Sequence, residues 1–356
     1  MEHLTTTSAP ASLLPHAYQE TVVPFEASDG FGLNLVHVRG QRSPTRGPVI
    51  LVHGAGVRAN IFRAPVRKTL VDMLVEEGWD VWLENWRASI DFKPNLWTLD
   101  EAALHDHPAA VQRVIKETGA QNVQAVVHCQ GSTSFMMAVA AGLVPQVRTV
   151  VSNAVSLHTL LPMYSRVKMR ALIAVAGAYY PYLNPQWGMK ADTWRAKLVS
   201  LYVGLTHHEC NNPVCKQASF TYGVGFPTLW RHENLDDTTH EWLKHEFAHV
   251  PRTFFRQMNM SVANGSLVPV SGDQRLPASF VDSAPKTNAR VAFFAGELNR
   301  CFLPEGQRRT YKFFNKWQPG RHALHVIPKY AHLDIFMGKD AERDVFPLML
   351  EELDTK

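Results

Sequence analysis

Six short runs of apolar, largely β-branched residues recur along this chain with helical patterns between them, and that alternation argues for a mostly parallel sheet covered on both faces. The runs are Pro48-Val-Ile-Leu-Val52, Trp79-Asp-Val-Trp-Leu-Glu84, the stretch 123–127, Thr149-Val-Val-Ser152, Arg290-Val-Ala-Phe-Phe-Ala295 and Ala323-Leu-His-Val-Ile327. Two further runs, 20–26 and 33–38, flank Ser28-Asp-Gly30 and predict an antiparallel hairpin at the sheet edge. Helices are expected over 65–77 and 106–118, the second with Asp106 as an acidic cap and Pro108 in its first turn. Between residues 152 and 290 the strand-helix rhythm stops, and the composition shifts toward Tyr, Trp, Met, His and Pro, as in Tyr179-Tyr-Pro-Tyr-Leu183 and Phe226-Pro-Thr-Leu-Trp230. The expected organisation is an α/β core over 20–155 and 286–356, a cap inserted at 156–285 over the C-terminal edge of the sheet, and a disordered leader at 1–19.

Composition narrows the function. With 356 residues, 46% hydrophobic and 19% charged, the chain can bury a large core. A net charge of +4 without any Lys/Arg-rich run points to neither nucleic acid nor an anionic membrane as partner. The beginning, Met1-Glu-His-Leu-Thr, lacks the basic start and apolar stretch of an export signal. The apolar segment 171–183 falls below the ~18 residues needed to span a bilayer and contains Pro181, so no integral membrane segment is expected. Four cysteines are too few for a disulfide scaffold, which makes the cytoplasm the expected compartment. Cys210 and Cys215 read as packed thiols in preference to a disulfide or half of a metal site, and Cys301 as packed. The sequence is silent on oligomeric state.

Chemistry concentrates in Gln124-Ala-Val-Val-His-Cys-Gln-Gly-Ser-Thr-Ser-Phe135, a strand run followed by small residues that open a helix. A strand-to-helix turn there projects Cys129 at the top of the sheet and aims the first helical amides at whatever binds beside it. Acyl transfer also requires a base, a group that orients the base, and donors for an oxyanion. His332, in Pro328-Lys-Tyr-Ala-His-Leu-Asp334 after the last strand, is the candidate base, and Glu297 and Asn299 after the 290–295 run are the candidate orienting groups. The strand 48–52 runs into His53-Gly-Ala-Gly56, so the Ala55 and Gln130 amides are the candidate oxyanion hole. A thiol is far easier to ionise than a hydroxyl, and a neighbouring imidazole is expected to hold it as a thiolate-imidazolium pair, with either Asn299 or its rival Glu297 accepting the imidazole N–H.

These segments resemble α/β-hydrolases of the lipase and esterase type, particularly the acid-lipase group. The likeness rests on Asp80-Val-Trp-Leu-Glu-Asn-Trp-Arg-Ala-Ser89, Trp97-Thr-Leu-Asp-Glu-Ala102, His105-Asp-His-Pro-Ala-Ala110, Val126-Val-His-Cys-Gln-Gly131 and Ala331-His-Leu-Asp-Ile-Phe-Met-Gly-Lys-Asp-Ala341. It implies the α/β-hydrolase fold and hydrolysis of hydrophobic esters. Members of the group carry Ser-Asp-His where this chain carries Cys129, Asn299 and His332, and glycine where it carries Val127. A cysteine at the elbow is similar to polyhydroxyalkanoate synthases, which take an acyl group from a coenzyme A thioester onto the thiol; Leu74-Val-Glu-Glu-Gly-Trp-Asp-Val-Trp82 fits that likeness too.

The expected function is therefore hydrolysis of a hydrophobic acyl ester or thioester through an acyl-cysteine, with no metal and no cofactor. The alternative is acyl transfer to an alcohol or amine. Two remoter readings are a zinc-dependent hydrolase at His245-Glu-Phe-Ala-His249, which matches H-E-x-x-H but runs into Pro251, and an inactive binding module.

Overall fold

The computed structural model describes residues 18–176, 180–224 and 228–355. The leader read from the sequence therefore lies, up to residue 17, outside the described residues, as do Tyr179, Phe226 and Pro227 of the aromatic stretches. Eight strands form one sheet: β1 (Gln19–Glu26), β2 (Gly32–Arg39), β3 (Pro48–Val52), β4 (Asp80–Asn85), β5 (Val123–His128), β6 (Val147–Asn153), β7 (Arg290–Gly296) and β8 (Ala323–Ile327). Their spatial order is β1-β2-β4-β3-β5-β6-β7-β8. The β1–β2 hairpin joins β4 antiparallel, and from β4 to β8 every pairing is parallel. This is the α/β-hydrolase fold.

Register decides where chemistry can assemble. Val52 pairs with Val127, His128 with Asn153, Asn153 with Phe294, and Ile327 with Gly296, so the turns leaving β3, β5, β7 and β8 all emerge at one edge. Strand order reverses at β3, which has β4 on one side and β5 on the other; ligand clefts in open α/β sheets form at such a switch point.

Helix α1 (Leu70–Glu76) starts later than the sequence pattern suggests, because Thr69 and Asp72 close a capping box at its N-terminus. The helix expected from Asp106 instead begins a full seven residues earlier. Helical backbone runs through Leu99–Glu101, a wider turn at Ala102–Asp106 and then His107–Thr118, together α2, with Thr98 and Glu101 as the capping box. Pro108 thus sits inside a helix. Its missing N–H breaks the ordinary ladder, and the backbone widens so that the His107 N–H reaches back to Ala102 O. Asp106 caps nothing; it is fully buried and holds the Arg87 guanidinium with both carboxylate oxygens.

Helix α3 (Cys129–Ala141) follows β5 without a loop and is buried along its whole length. Its small polar residues are the reason this is tolerable: Ser132 bonds Ser152 on β6, Thr133 bonds Ser156, and Ser134 bonds His107, whose other nitrogen meets Glu84. A Cβ on Gly131 would lie 2.1 Å from His53 O, so only glycine lets α3 pack this closely on the loop after β3.

Between β6 and β7 the chain forms α4 (Met163–Ala176), α5 (Trp194–Thr206), α6 (Pro213–Tyr222), α7 (Asp237–Trp242) and α8 (Arg252–Asn264), with a two-stranded pairing of Tyr182–Leu183 and Val250–Pro251. Helix α7 ends at Trp242 and gives way to a tight turn at Leu243–His245. Among the described residues, no helix is long and apolar enough to cross a membrane.

Candidate active site

Cys129 is the first residue of α3 and adopts φ 57°. This left-handed conformation costs a non-glycine residue about 1–3 kcal/mol, and it is what turns the side chain out of the strand line toward the cleft. The elbow forms although Val127, not glycine, occupies the second position before it; Val127 is buried within β5 and paired with Val52 and Ser152. The backbone N–H groups of Gln130 and Ala55 both donate toward the Cys129 sulfur. They converge on one point from two separate elements, the start of α3 and the loop after β3.

The sulfur and a ring nitrogen each of His128 and His332 lie within 4.8 Å of one another. His332 is 1% exposed, and its Nδ1 is 3.0 Å from Asn299 Nδ2. The turn carrying Asn299 is tied to the His332 loop by Glu297 N–H to Ile327 O and Leu298 N–H to Tyr330 O. A Cβ on Gly296 would fall 1.8 Å from Ala331 O, so glycine there permits this approach. Glu297 is exposed and does not reach the ring, which leaves Asn299 as the side chain in contact with it.

The direction of that contact differs from expectation. Asn299 Oδ1 accepts the N–H groups of Cys301 (2.9 Å) and Phe302 (3.1 Å), so its amide NH2 is the end left to face the imidazole. Asn299 therefore donates to Nδ1 and does not accept from it. The neutral ring must then carry its proton on Nε2, the nitrogen without a polar partner that remains for the site. Burial, with His128 adding to it, holds His332 well below the usual imidazole range. Burial likewise pushes the Cys129 thiol up to about 12, against the opposing pull of the two N–H groups. Both shifts favour a neutral thiol beside a neutral imidazole over the expected thiolate-imidazolium pair.

This arrangement has a measurable signature. Since the thiolate is the nucleophile, alkylation of Cys129 by iodoacetamide is expected to rise about tenfold per pH unit through neutrality and to continue rising into strong alkali. A plateau near neutral pH, read by peptide mass spectrometry, would show that the ion pair exists after all.

Above the sulfur lies a cavity of about 450 Å³. Leu161, Met169, Phe254, Met258 and Phe302 give it an apolar wall. Three residues in and around the site had no signal in the sequence. Tyr222, from α6, donates its hydroxyl to Ala55 O and so braces the loop that presents the Ala55 N–H. His128 is fixed by Asn153 Oδ1 at 2.8 Å and lies tilted against His332, ring centroids 4.7 Å apart. Lys168, whose ammonium is held by Phe220 O and Gly223 O, is pushed by burial down to about 7. Cys301, expected to be merely packed, is buried but lines the same cavity.

The H-E-x-x-H segment does not assemble. His245 is exposed at the end of its turn, Glu246 is buried against Arg58 at 3.2 Å, and His249 packs edge-on to Tyr182. Among the described residues, these histidines belong to no group of side chains close enough to share a metal ion.

No family model matches the chain. It is 30% identical over 134 residues to sterol esterase 2 of Saccharomyces cerevisiae, a stretch covering 33% of this chain and 25% of that protein. With lipase member K of Mus musculus it shares 25% identity over 350 residues, covering 89% of this chain and 83% of the relative. The chain spans only about a quarter of the yeast esterase and about a third of lipase 1 of Drosophila melanogaster. Among solved structures, an esterase of Thermogutta terrifontis superposes with TM-score 0.57 at 14% identity, covering 94% of this chain and 98% of the other. The monoacylglycerol lipase of Paleococcus ferrophilus gives 0.52 at 15% identity, with the same coverage.

Proposed function

We propose that this chain, which has the α/β-hydrolase fold, cleaves the acyl bond of a hydrophobic ester through a covalent acyl-cysteine on Cys129. One observation carries the reading: two backbone N–H groups from separate elements meet at the sulfur of a strained elbow residue that opens into an apolar cavity. Donors so placed serve the tetrahedral oxyanion when a carbonyl carbon bonds to the sulfur. Relatives named as sterol esterase and lipases support a bulky apolar ester as the substrate class.

In the first half-reaction the sulfur–carbon bond forms, the carbon–oxygen bond breaks, and the thiol proton ends on the leaving alcohol. In the second, water adds its oxygen to the acyl carbon, the carbon–sulfur bond breaks, and the thiol regains a proton. His332 contributes an Nε2–H hydrogen bond to the leaving atom, and only a change of tautomer makes it a base.

The orientation of Asn299 favours a second reading, acyl thioesters as donors. A leaving thiolate needs no proton, so sulfur-for-sulfur exchange proceeds with the ring as a donor only, and the acyl group then passes to water or to an alcohol or amine.

Intact-protein mass spectrometry after incubation with acyl p-nitrophenyl esters and with acyl thioesters tests both readings. The expected result is an acyl adduct mapped to Cys129, absent in Cys129→Ala and retained in Cys301→Ser. An adduct confined to Cys301, or turnover undiminished in Cys129→Ala, removes the covalent scheme. Product analysis in the presence of an added alcohol separates hydrolysis from transfer.

A further inference from the structure

A second cluster of chemistry lies in the segment between β6 and β7, away from the elbow. Cys210, Cys215, His232 and His240 each bring one ligand atom to within 4.8 Å of the others. Both cysteines are free, and Cys215 Sγ is 3.4 Å from His232 Nε2. The two imidazoles stand edge to face with centroids 4.8 Å apart. His240 Nε2 is buried without a nitrogen or oxygen partner, and the ring lies against the Cys210 thiol. Packing alone does not account for four such groups facing one point: Cys215 is buried, and the buried His240 Nε2 gives up its hydration with little in return.

We propose that Cys210, Cys215, His232 and His240 form a tetrahedral Cys2His2 site for a zinc ion. Two thiolates and two neutral imidazoles balance the ion's charge, and zinc is the metal that tetrahedral S2N2 sites select in preference to hard cations. Zinc–ligand bonds of about 2.0–2.3 Å place tetrahedral ligand atoms about 3.3–3.8 Å apart, so the 3.4 Å pair already fits and the remaining atoms need only small side-chain rotations. Outer partners are in place. Asn212 Oδ1 caps α6 through the Val214 and Cys215 N–H groups while its Nδ2 holds His240 O at 2.6 Å. Glu209 borders the cluster as a carboxylate in electrostatic contact with Cys210 and His232.

The location explains what the ion does for the chain. It clamps the N-terminus of α6 to the strap that runs from Leu229 to α7. Leu229 O accepts the N–H groups of His332 (3.1 Å) and Leu333 (2.7 Å), and Arg231 N–H and Asn234 Nδ2 both bond Asp334. The far end of α6 supplies Tyr222, which braces the oxyanion loop. Zinc therefore fastens two supports of the elbow site without taking part in its chemistry.

Elemental analysis of the full chain, expressed with zinc in the medium and purified without chelator, is expected to find one zinc per molecule. Cys129→Ala should keep it, while Cys215→Ala and His240→Ala should lose it. To guard against variants that fail to fold, the wild-type chain stripped by chelator is titrated with cobalt(II) alone; a thiolate-to-cobalt charge-transfer band with tetrahedral visible absorption is expected, together with a thermal midpoint that drops on stripping and returns on zinc addition. Four results overturn the proposal: no metal and no cobalt spectrum; a mass two hydrogens short, marking a Cys210–Cys215 disulfide; both thiols titrating freely in the untreated protein; or metal lost in Cys129→Ala, which would put the ion at the elbow.

Discussion

Asn299→Asp is expected to raise the rate of Cys129 acylation at neutral pH by about 10²- to 10⁴-fold. The reasoning is one of proton placement. In the native chain Cys301 N–H and Phe302 N–H occupy the amide oxygen, so the NH2 faces His332 Nδ1 and pins the ring proton on Nε2. A carboxylate satisfies both sides at once: one oxygen keeps the two backbone N–H groups and the other accepts from Nδ1–H. The ring then turns an Nε2 lone pair toward the sulfur and becomes a base. In the serine-protease template, exchanging the triad carboxylate for an amide costs about 10⁴ through the wrong tautomer; a thiol depends less on a base, so the gain here falls at or below that figure. The pH profile should move with it. The added negative charge raises the depressed imidazole, so the variant's rate levels off at lower pH while the parent's keeps climbing with thiolate. Pre-steady-state release of p-nitrophenol across a pH series measures both effects. An unchanged rate and slope would mean that the ring is not held in the Nε2–H form.

The sheet was legible because each parallel strand is a continuous apolar run, and its pairing register follows from burial on both faces. That legibility extends to the edge where Cys129, His332 and Asn299 meet, since each follows a readable strand by a few residues. Local chemistry hid the rest. Asp106 looked like a cap because Pro108 follows it, yet the capping box at Thr98 and Glu101 had already started the helix and the buried Arg87 claimed Asp106. The direction of the Asn299 hydrogen bond depends on two backbone N–H groups that every residue possesses, so no pattern announces it. Tyr222 and the Cys210–Cys215–His232–His240 group come from separate short helices and the loops that join them between β6 and β7, where spacing along the chain says little about proximity. H-E-x-x-H illustrates the reverse hazard: the letters match, but the helix that would align the two imidazoles ends at Trp242, before either of them.

Cys129→Ser alone is expected to cut acyl turnover by about 10³- to 10⁴-fold, and Asn299→Asp added to it to raise the rate about 10²-fold more than the same change does beside cysteine, so that the loss is fully recovered. A hydroxyl, unlike a thiol, is not appreciably ionised at any accessible pH and must pass its proton to a base during attack. His332 in its Nε2–H form has no lone pair to offer, so serine is stranded in the native surroundings even though the Ala55 and Gln130 N–H groups remain aimed at its position. With aspartate at 299 the ring accepts the proton, and the serine gains what the cysteine partly dispenses with. The four corners of this cycle, compared as kcat/KM on one p-nitrophenyl ester, should therefore be strongly non-additive; a double variant about 10²-fold faster than the product of the two single effects corresponds to a coupling of about 2.7 kcal/mol. Additive effects would show that residues 129 and 299 act independently. Coupling ties the thiol to the amide by physical necessity: a site whose histidine is held as a hydrogen-bond donor can work only with a nucleophile that is able to lose its proton without help.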